Sequence, residues 1–471
     1  MIINNSKENE IDWNKVFMLN EFKKYFDIKS LVEFSLVSQF NRNKLKSRLF
    51  SYSVLIGENY FSYIKSNLVK YHEKLYFNSF DFVESFWDLN RLNIELGEQL
   101  ANISQISNLM IQLINDSRGI EPFIKSLRVQ ELGHLLYVLY PVTFVFTKLI
   151  QLEIDNCTLP LLAILRIGES LKKLKKLTLD NVLLIGFEKQ ELSLSLAYFP
   201  STLEELILDF CIIINLNPIP SDIYITQNQL YKECIGPNYL EILISSSLKR
   251  LTLSLINPGY IRKLLNLYPN VEEITVTDYN LDQRIIDKFS SIRSLTKLSI
   301  LTYDRQFPAI ISHRDFIFPQ FNFITNLVLE FSESMYRTGN EFLYFTNHFP
   351  NLTQLSIDLT GVNFEDIDIG KFFLETLPTY KKLEILTLEY MEDIGEYNFN
   401  WLKFINFSCL ILKFDYINSN KIDFKLFSYN IKEIRKRSSD IKFELKYIEK
   451  NPEIFDKWNI RIKGEYIYFD K

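Results

Sequence analysis

Twelve times between residues 89 and 412 the chain writes a variant of apolar-x-x-apolar-x-apolar. Taking the middle apolar residue of each as an anchor gives Leu92, Leu127, Leu152, Leu177, Leu206, Leu251, Ile274, Leu298, Leu327, Leu355, Leu386 and Leu410. Successive anchors lie 35, 25, 25, 29, 45, 23, 24, 29, 28, 31 and 24 residues apart. Recurrence at this period marks a stacked array, in which no single unit can bury its apolar face alone. The hydrophobic content of 47% in 471 residues supplies enough core for such an array, or for separate globular domains. The recurrence decides for the array.

Side chains of an extended segment alternate between two faces. The second and third apolar positions of each match therefore point inward together, and the residues between them point out. Between strands the apolar period becomes helical: in "GYIRKLLNLYP", Ile261, Leu264, Leu265 and Tyr268 fall at i, i+3, i+4 and i+7. Proline after an aromatic, as in "YFPSTLEELILDFC", "LYPNVEEITVTDY" and "NHFPNLTQLSIDLTG", cannot continue a helix and pushes the preceding residue toward extended geometry. These stretches punctuate the repeats: helix end, then strand.

The pattern resembles the leucine-rich-repeat family over roughly residues 85–445. That resemblance implies an α/β leucine-rich-repeat solenoid: a curved parallel sheet with convex helices. The family's Asn or Cys, five residues past the anchor, is kept as Cys157 and Cys211 and replaced by Val182, Ile256, Tyr279, Met391 and Asp415. The expected organisation is a flexible start over 1–12, a helical segment over 13–60, the solenoid over 61–445 and a C-terminal cap over 446–471. Within the solenoid, 212–247 forms an irregular insertion, either a repeat built around Ile223 and Ile225 or a protruding loop. The stretch "KEIRKRSSDIKFELKYIEK" and the aromatic tail after it read as a last strand and the cap.

Residues 13–50 do not share the repeat pattern. Leu31, Phe34, Val37 and Phe40 recur every three residues behind Asp27 and Ser30, which are possible helix caps, so two or three short helices are expected. The segment resembles an F-box, through Leu19 and Phe22, Tyr25 and Phe26, Leu31, and the run from Ser35 through Leu36 and Val37 to Ser38 with Asn41 beyond. Leu19 is followed by Asn20 where the family has proline, and Phe40 replaces a common tryptophan. An F-box leading a leucine-rich array implies a substrate receptor of a cullin-RING ubiquitin ligase, with Leu19, Phe22, Tyr25, Phe26, Leu31, Leu36 and Val37 binding the ligase adaptor and the array holding the target protein. The alternative is an interaction scaffold without a ligase role, its first helices serving only as a cap.

Basic and acidic residues nearly balance, 53 against 58, so no global field points to nucleic acid or to an anionic membrane, and neither is expected as a partner. The longest apolar stretch, "LLYVLYPVTFVF", is too short to span a bilayer. The start has no charged segment leading an apolar one, so a cytoplasmic or nuclear location is expected. Four cysteines without a C-x-x-C pair argue for reduced thiols, with Cys157 and Cys211 filling the repeat core. No histidine has ligand spacing, and there is no phosphate loop or nucleophile elbow, so neither an enzyme nor a cofactor or metal is expected.

The outward strand face carries a more specific signal. Three residues past the anchors stand Glu95, Gln130, Asp155, Asp180, Asp209, Ser254, Thr277, Leu301, Glu330, Asp358, Glu389 and Lys413. Parallel strands about 4.8 Å apart bring such acids close enough to attract a basic segment. A solvated strand end also tolerates Asp and Glu, some of them bonded to their own loops. On the first reading Glu95, Asp155, Asp180, Asp209, Glu330, Asp358 and Glu389 are target-binding residues.

Overall fold

The structure, a computed structural model, describes residues 51–56, 121–133, 143, 145–160, 164, 165, 167–187, 199–216, 247–254, 258–277, 281–301, 317–330, 346–358, 377–389, 408–413, 431–438 and 440–471. The F-box-like residues Leu19 to Val37 lie outside them, as do Leu92, Glu95 and most of 212–247. The chain divides into two compact units, Met1–Leu203 with Ile213–Ile235, and Glu204–Ile212 with Gly236–Lys471. Each is a stack of parallel strands joined by the repeat connections, the arrangement of a parallel-sheet solenoid.

In the first unit the strands are β1 (Tyr52–Ile56), β2 (Ser126–Gly133), β3 (Gln151–Pro160) and β4 (Lys176–Phe187), hydrogen-bonded in that order. The anchors fall opposite one another, Leu127 against Leu152 and Leu152 against Leu177. Two expectations are corrected here. Tyr52–Ile56, placed in the helical segment by a boundary at residue 60, is a strand. Leu127 has Ser53 as its partner, so the neighbouring place in the ladder, expected for the Leu92 repeat, belongs to β1. The valine, leucine and isoleucine of "YSVLI" suit a pleated surface but lack the spaced leucines that marked the other strands. The start of the insertion is also a strand, β6 (Ile212–Leu216), which pairs with β4.

β3 and β4 are long because each passes through a left-handed residue and pairs again beyond it. Asn156 has φ 51° and Asn181 φ 50°, and register resumes with Cys157 opposite Val182. Asparagine tolerates this conformation better than other side chains. The Asn181 Nδ2 donates to Asn156 Oδ1 at 3.2 Å, stacking the two bends.

The second unit runs β5 (Glu205–Asp209), β7 (Arg250–Ser254), β8 (Glu273–Thr277), β9 (Lys297–Leu301), β10 (Asn326–Glu330), β11 (Gln354–Asp358), β12 (Ile385–Glu389), β13 (Cys409–Lys413) and β14 (Glu433–Arg437), all parallel. Each anchor faces the next across the ladder, from Leu206 against Leu251 to Leu386 against Leu410. They and their inward neighbours two residues on are buried to 3% exposure or less. Among the described residues, full helices occupy two connections: α2 (Pro258–Leu267) and α3 (Gln283–Ser291), the latter capped by Asp282, whose carboxylate accepts from Ile285 N. α2 stops just before Tyr268-Pro269, as the punctuation requires, and buries Ile261, Leu264 and Leu265. Other connections show, among the described residues, helix in α1 (Ile167–Ser170) and 3-10 turns at Thr346–His348 and Leu377–Thr379, the former leading into Phe349-Pro350.

Small hydroxyl residues at the strand entries have a structural role. Hydroxyls two residues before the anchors donate to the previous repeat's carbonyl, Thr296 to Glu272 at 3.2 Å, Thr353 to Thr325 at 3.1 Å and Ser408 to Glu384 at 3.3 Å. They extend the ladder at the point where the chain enters each strand.

Two short helices follow the last parallel strand, α4 (Ile441–Lys450) and α5 (Pro452–Phe455), and then the antiparallel pair β15 (Asn459–Lys463) and β16 (Tyr466–Asp470). β16 pairs antiparallel with β14, so the array ends in a change of strand direction. Phe455 stacks on Phe469 with centroids 5.8 Å apart and meets Tyr447 edge-on at 6.2 Å, which seats the cap on its core.

Candidate functional site

Outward-facing positions on the second unit's strands form three rows, one residue before, one after and three after the anchors. In the first row the strands β5, β7, β8 and β9 alternate in sign and pair, and β10 to β13 carry the uncharged Asn326, Gln354, Ile385 and Cys409. Arg250 Nε meets Glu205 at 2.9 Å, and Lys297 Nζ meets Glu273 at 3.2 Å. Such pairs cancel one another's fields and contribute to the sheet as ordinary cross-strand contacts.

The third row is sorted instead. Glu330, Asp358 and Glu389 are consecutive register partners on β10, β11 and β12, followed by Lys413 on β13. Glu330 is exposed and the other three are half-buried. Although Glu330 is exposed in part, desolvation of its covered portion and then the negative charges of Asp358 and Glu389 push its carboxyl above the ordinary carboxylate range, against the pull of Lys413. Lys413 Nζ donates to Glu389 at 2.7 Å; burial opposes its charge, and that hydrogen bond together with the negative charges of Glu389 and Asp358 outweighs it, leaving the ammonium above the ordinary lysine range. Strands place these groups because the buried anchor and the buried residue two positions on fix which residues of the alternating strand face outward.

Elsewhere the row differs. In the first unit Asp155 and Asp180 are register partners, but Asp155 accepts from Arg128 Nη2 and from Gln130 Nε2, both at 2.7 Å, so a basic side chain already lies against it. Burial, then the charge of Asp155, raises the Asp180 carboxyl, and Arg128 offsets part of this. Asp209 has Ser254 as its partner. Ser254 and Thr277, expected to face out, are 2% and 0% exposed, so the row is covered there; a small hydroxyl suits a covered position where a carboxylate would not. The seven target-binding acids are thus not one surface: Glu330, Asp358 and Glu389 stand together, Asp155 and Asp180 stand together, and Glu95 lies outside the described residues.

The sequence reading missed Arg128, Arg435 and Arg437. A signal existed in the one arginine among the small residues that follow the anchors, and in Ile431 and Ile434 spaced as in every other match. Arg435 is forked onto Glu433, Nε at 2.9 Å and Nη2 at 3.0 Å, and this hydrogen bonding depresses the Glu433 carboxyl. Tyr468 lies between two guanidiniums, Arg435 at 5.7 Å and Arg461 at 5.8 Å from its ring centre.

Cys157 is buried and its thiol donates to Asp155 O at 3.1 Å; Cys211 is only partly buried and donates to Asp209 O at 3.5 Å. Both thiols fold back over a left-handed residue, Asn156 and Phe210 respectively, to satisfy a strand-end carbonyl. Burial, with Glu433 adding, pushes the Cys409 thiol up to about 11, which removes it as a nucleophile near neutral pH. His348 ends a 3-10 turn, as expected, and burial lowers its pKa. Among the described residues no group of three His, Cys, Asp or Glu is placed to hold a metal ion, and no helix is long and apolar enough to cross a membrane.

No family model matches the chain, and no curated protein matches it. Among solved structures, the leucine-rich repeat-containing protein LegL7 from Legionella pneumophila is similar, at 12% identity and TM-score 0.35, over 62% of this chain and 83% of that one. The fold rests on the strand register described above. Each unit is a parallel-strand solenoid stack in which the apolar anchors of successive repeats face one another in register.

Proposed function

We propose that the protein is a non-enzymatic recognition module whose outward strand face holds a basic segment of a target protein. The observation that carries this reading is the direct register of Glu330, Asp358 and Glu389 on three consecutive strands. Like charges directly opposite in a sheet are destabilising, so an unmixed run is maintained at a cost to folding that a cationic partner relieves. Changing all three to lysine tests it. Proteins retained from a cell lysate by the parent chain and lost by the triple variant should carry Lys- and Arg-rich segments; identical retained sets contradict the reading.

The finer reading is a substrate receptor of a cullin-RING ubiquitin ligase, acting in the cytoplasm or nucleus. Its support is the F-box-like run at Leu19, Phe22, Tyr25, Phe26, Leu31, Leu36 and Val37 ahead of the repeats. Leu36→Asp with Val37→Asp should abolish capture of the ligase adaptor and leave target capture unchanged. A parent chain that captures no adaptor leaves the interaction scaffold as the function.

A further inference from the structure

The third row does not stop at the acids. Past Lys413 it continues through Arg437 on β14, Tyr466 on β16 and Lys463 on β15, the last two in direct register with each other and Tyr466 with Arg437. The row between it and the first, one residue past the anchors, reads Val328, Ser356, Thr387 and Ile411 and then Arg435, Tyr468 and Arg461. Across these two rows, β10 to β12 carry only acids as charged groups, and β13 to the hairpin carry only bases. The carboxylates that hold those bases come from elsewhere: Glu389 across the sign boundary for Lys413, Glu433 and Asp470 from the first row for Arg435 and Arg461, and Glu465 in the hairpin turn for Arg437 at 3.0 Å.

Two facts make this a surface with a preferred partner. The first row pairs its opposite charges from β5 to β9 and carries the uncharged Asn326, Gln354, Ile385 and Cys409 from β10 to β13, so no first-row charge on those strands offsets the sorted groups beside it. The bases are fixed by exposed or half-exposed ion pairs, worth little individually, so a partner's carboxylates are able to share their donors without dismantling the sheet. Between the charges, half-buried Val328, Thr387, Ile411 and Tyr468 offer a less polar lane. From Glu330 to Lys463 is six strand spacings, about 29 Å, the reach of roughly nine extended residues.

We infer that this face takes an extended segment of a partner protein whose charges are segregated into two blocks, basic residues over Glu330, Asp358 and Glu389 and acidic residues over Lys413, Arg437 and Lys463. The inference rests on the recognition reading above and adds the acidic half of the partner. Complementary potentials of this kind fix register and orientation more than they add affinity.

Three labelled 12-residue peptides, titrated into the full chain at low salt, test it: one with four lysines followed by four glutamates among serines, an isomer of the same composition with alternating charges, and one with lysines and serines only. The segregated peptide should bind at least ten-fold more tightly than the alternating isomer. Arg437→Glu with Lys463→Glu should erase that preference while leaving the lysine peptide bound as well or better. Arg437→Gln with Lys463→Gln, which keeps the polar surface, should reduce the preference without a change in melting temperature. Equal affinity for the segregated and alternating peptides, or a preference that survives the double reversal, overturns the inference. Binding of the lysine peptide with no gain from the acidic block removes the inference and leaves the recognition reading; binding of none removes both.

Discussion

Lys436 Nζ lies 2.6 Å from Glu444 Oε1, and both side chains are buried, the lysine to 0% exposure. Lys436 occupies the inward position that Leu412 fills on the neighbouring strand, so a charge stands in the column of the leucines. Its partner comes from α4, which the pair fastens to the last parallel strand. Glu444→Ala leaves a buried ammonium and should cost about 3–5 kcal/mol, whereas Lys436→Leu with Glu444→Leu should be neutral or stabilising by about 1–4 kcal/mol. Urea unfolding distinguishes these; a double variant as damaged as the single one would mean that the pair does more than locate the cap.

Leu355 represents the anchors: it is 1% exposed and sits between Leu327 and Leu386 in register. Leu355→Ala should cost about 2–5 kcal/mol, because the neighbours on both sides prevent the cavity from closing. Val328→Ala, one strand away but half-buried, should cost under about 1 kcal/mol. Similar losses at both positions would contradict the inward and outward assignment.

Phe210 has φ 48° where the equivalent bends of β3 and β4 have asparagine, and the residue is 36% exposed. Bulky side chains are strained in this conformation, by roughly 1–2 kcal/mol. Phe210→Asn should therefore raise the melting temperature. A fall would show that the ring's contacts outweigh the strain.

Glu330 gives a pH dependence with a definite sign. Its folded-state pKa lies above the ordinary 4.5, so folding favours the protonated form, and stability is lost as pH rises through the folded value. Glu330→Gln should match the parent below pH 4 and exceed it increasingly toward neutrality. Urea midpoints from pH 3.5 to 7 check this; a difference independent of pH would contradict the crowding of Glu330 by Asp358 and Glu389.

The repeat register was legible because a leucine or isoleucine at every anchor is what two-sided stacking demands; eleven of the twelve anchors fall on strands of the two stacks. The strand at β14 was harder to count as a repeat because Lys436 replaces the third apolar residue, and a lysine is acceptable there only once a helix eight residues on supplies Glu444. β1 was hidden for a related reason: its register is set by β2, and its own "YSVLI" shows no leucine spacing. Of the acidic column, sequence spacing correctly placed Glu330, Asp358 and Glu389 together, since nothing but register is needed. It did not show that Arg128 lies against Asp155 or that Ser254 and Thr277 are covered, because those depend on contacts that no periodicity encodes.

The adjacency of Glu330, Asp358 and Glu389 is tested most directly by the association rate of a fluorescent hexalysine peptide measured by stopped flow from low to high salt. Neighbouring carboxylates about 4.8 Å apart lie inside the roughly 8 Å screening length at physiological salt, so the fields of adjacent members add. Association with the parent should slow steeply as salt rises, and the triple lysine variant should associate slowly at every salt, its dissociation rate and melting temperature changing far less. Association that is indifferent to both salt and the triple reversal would contradict a recognition role for this face.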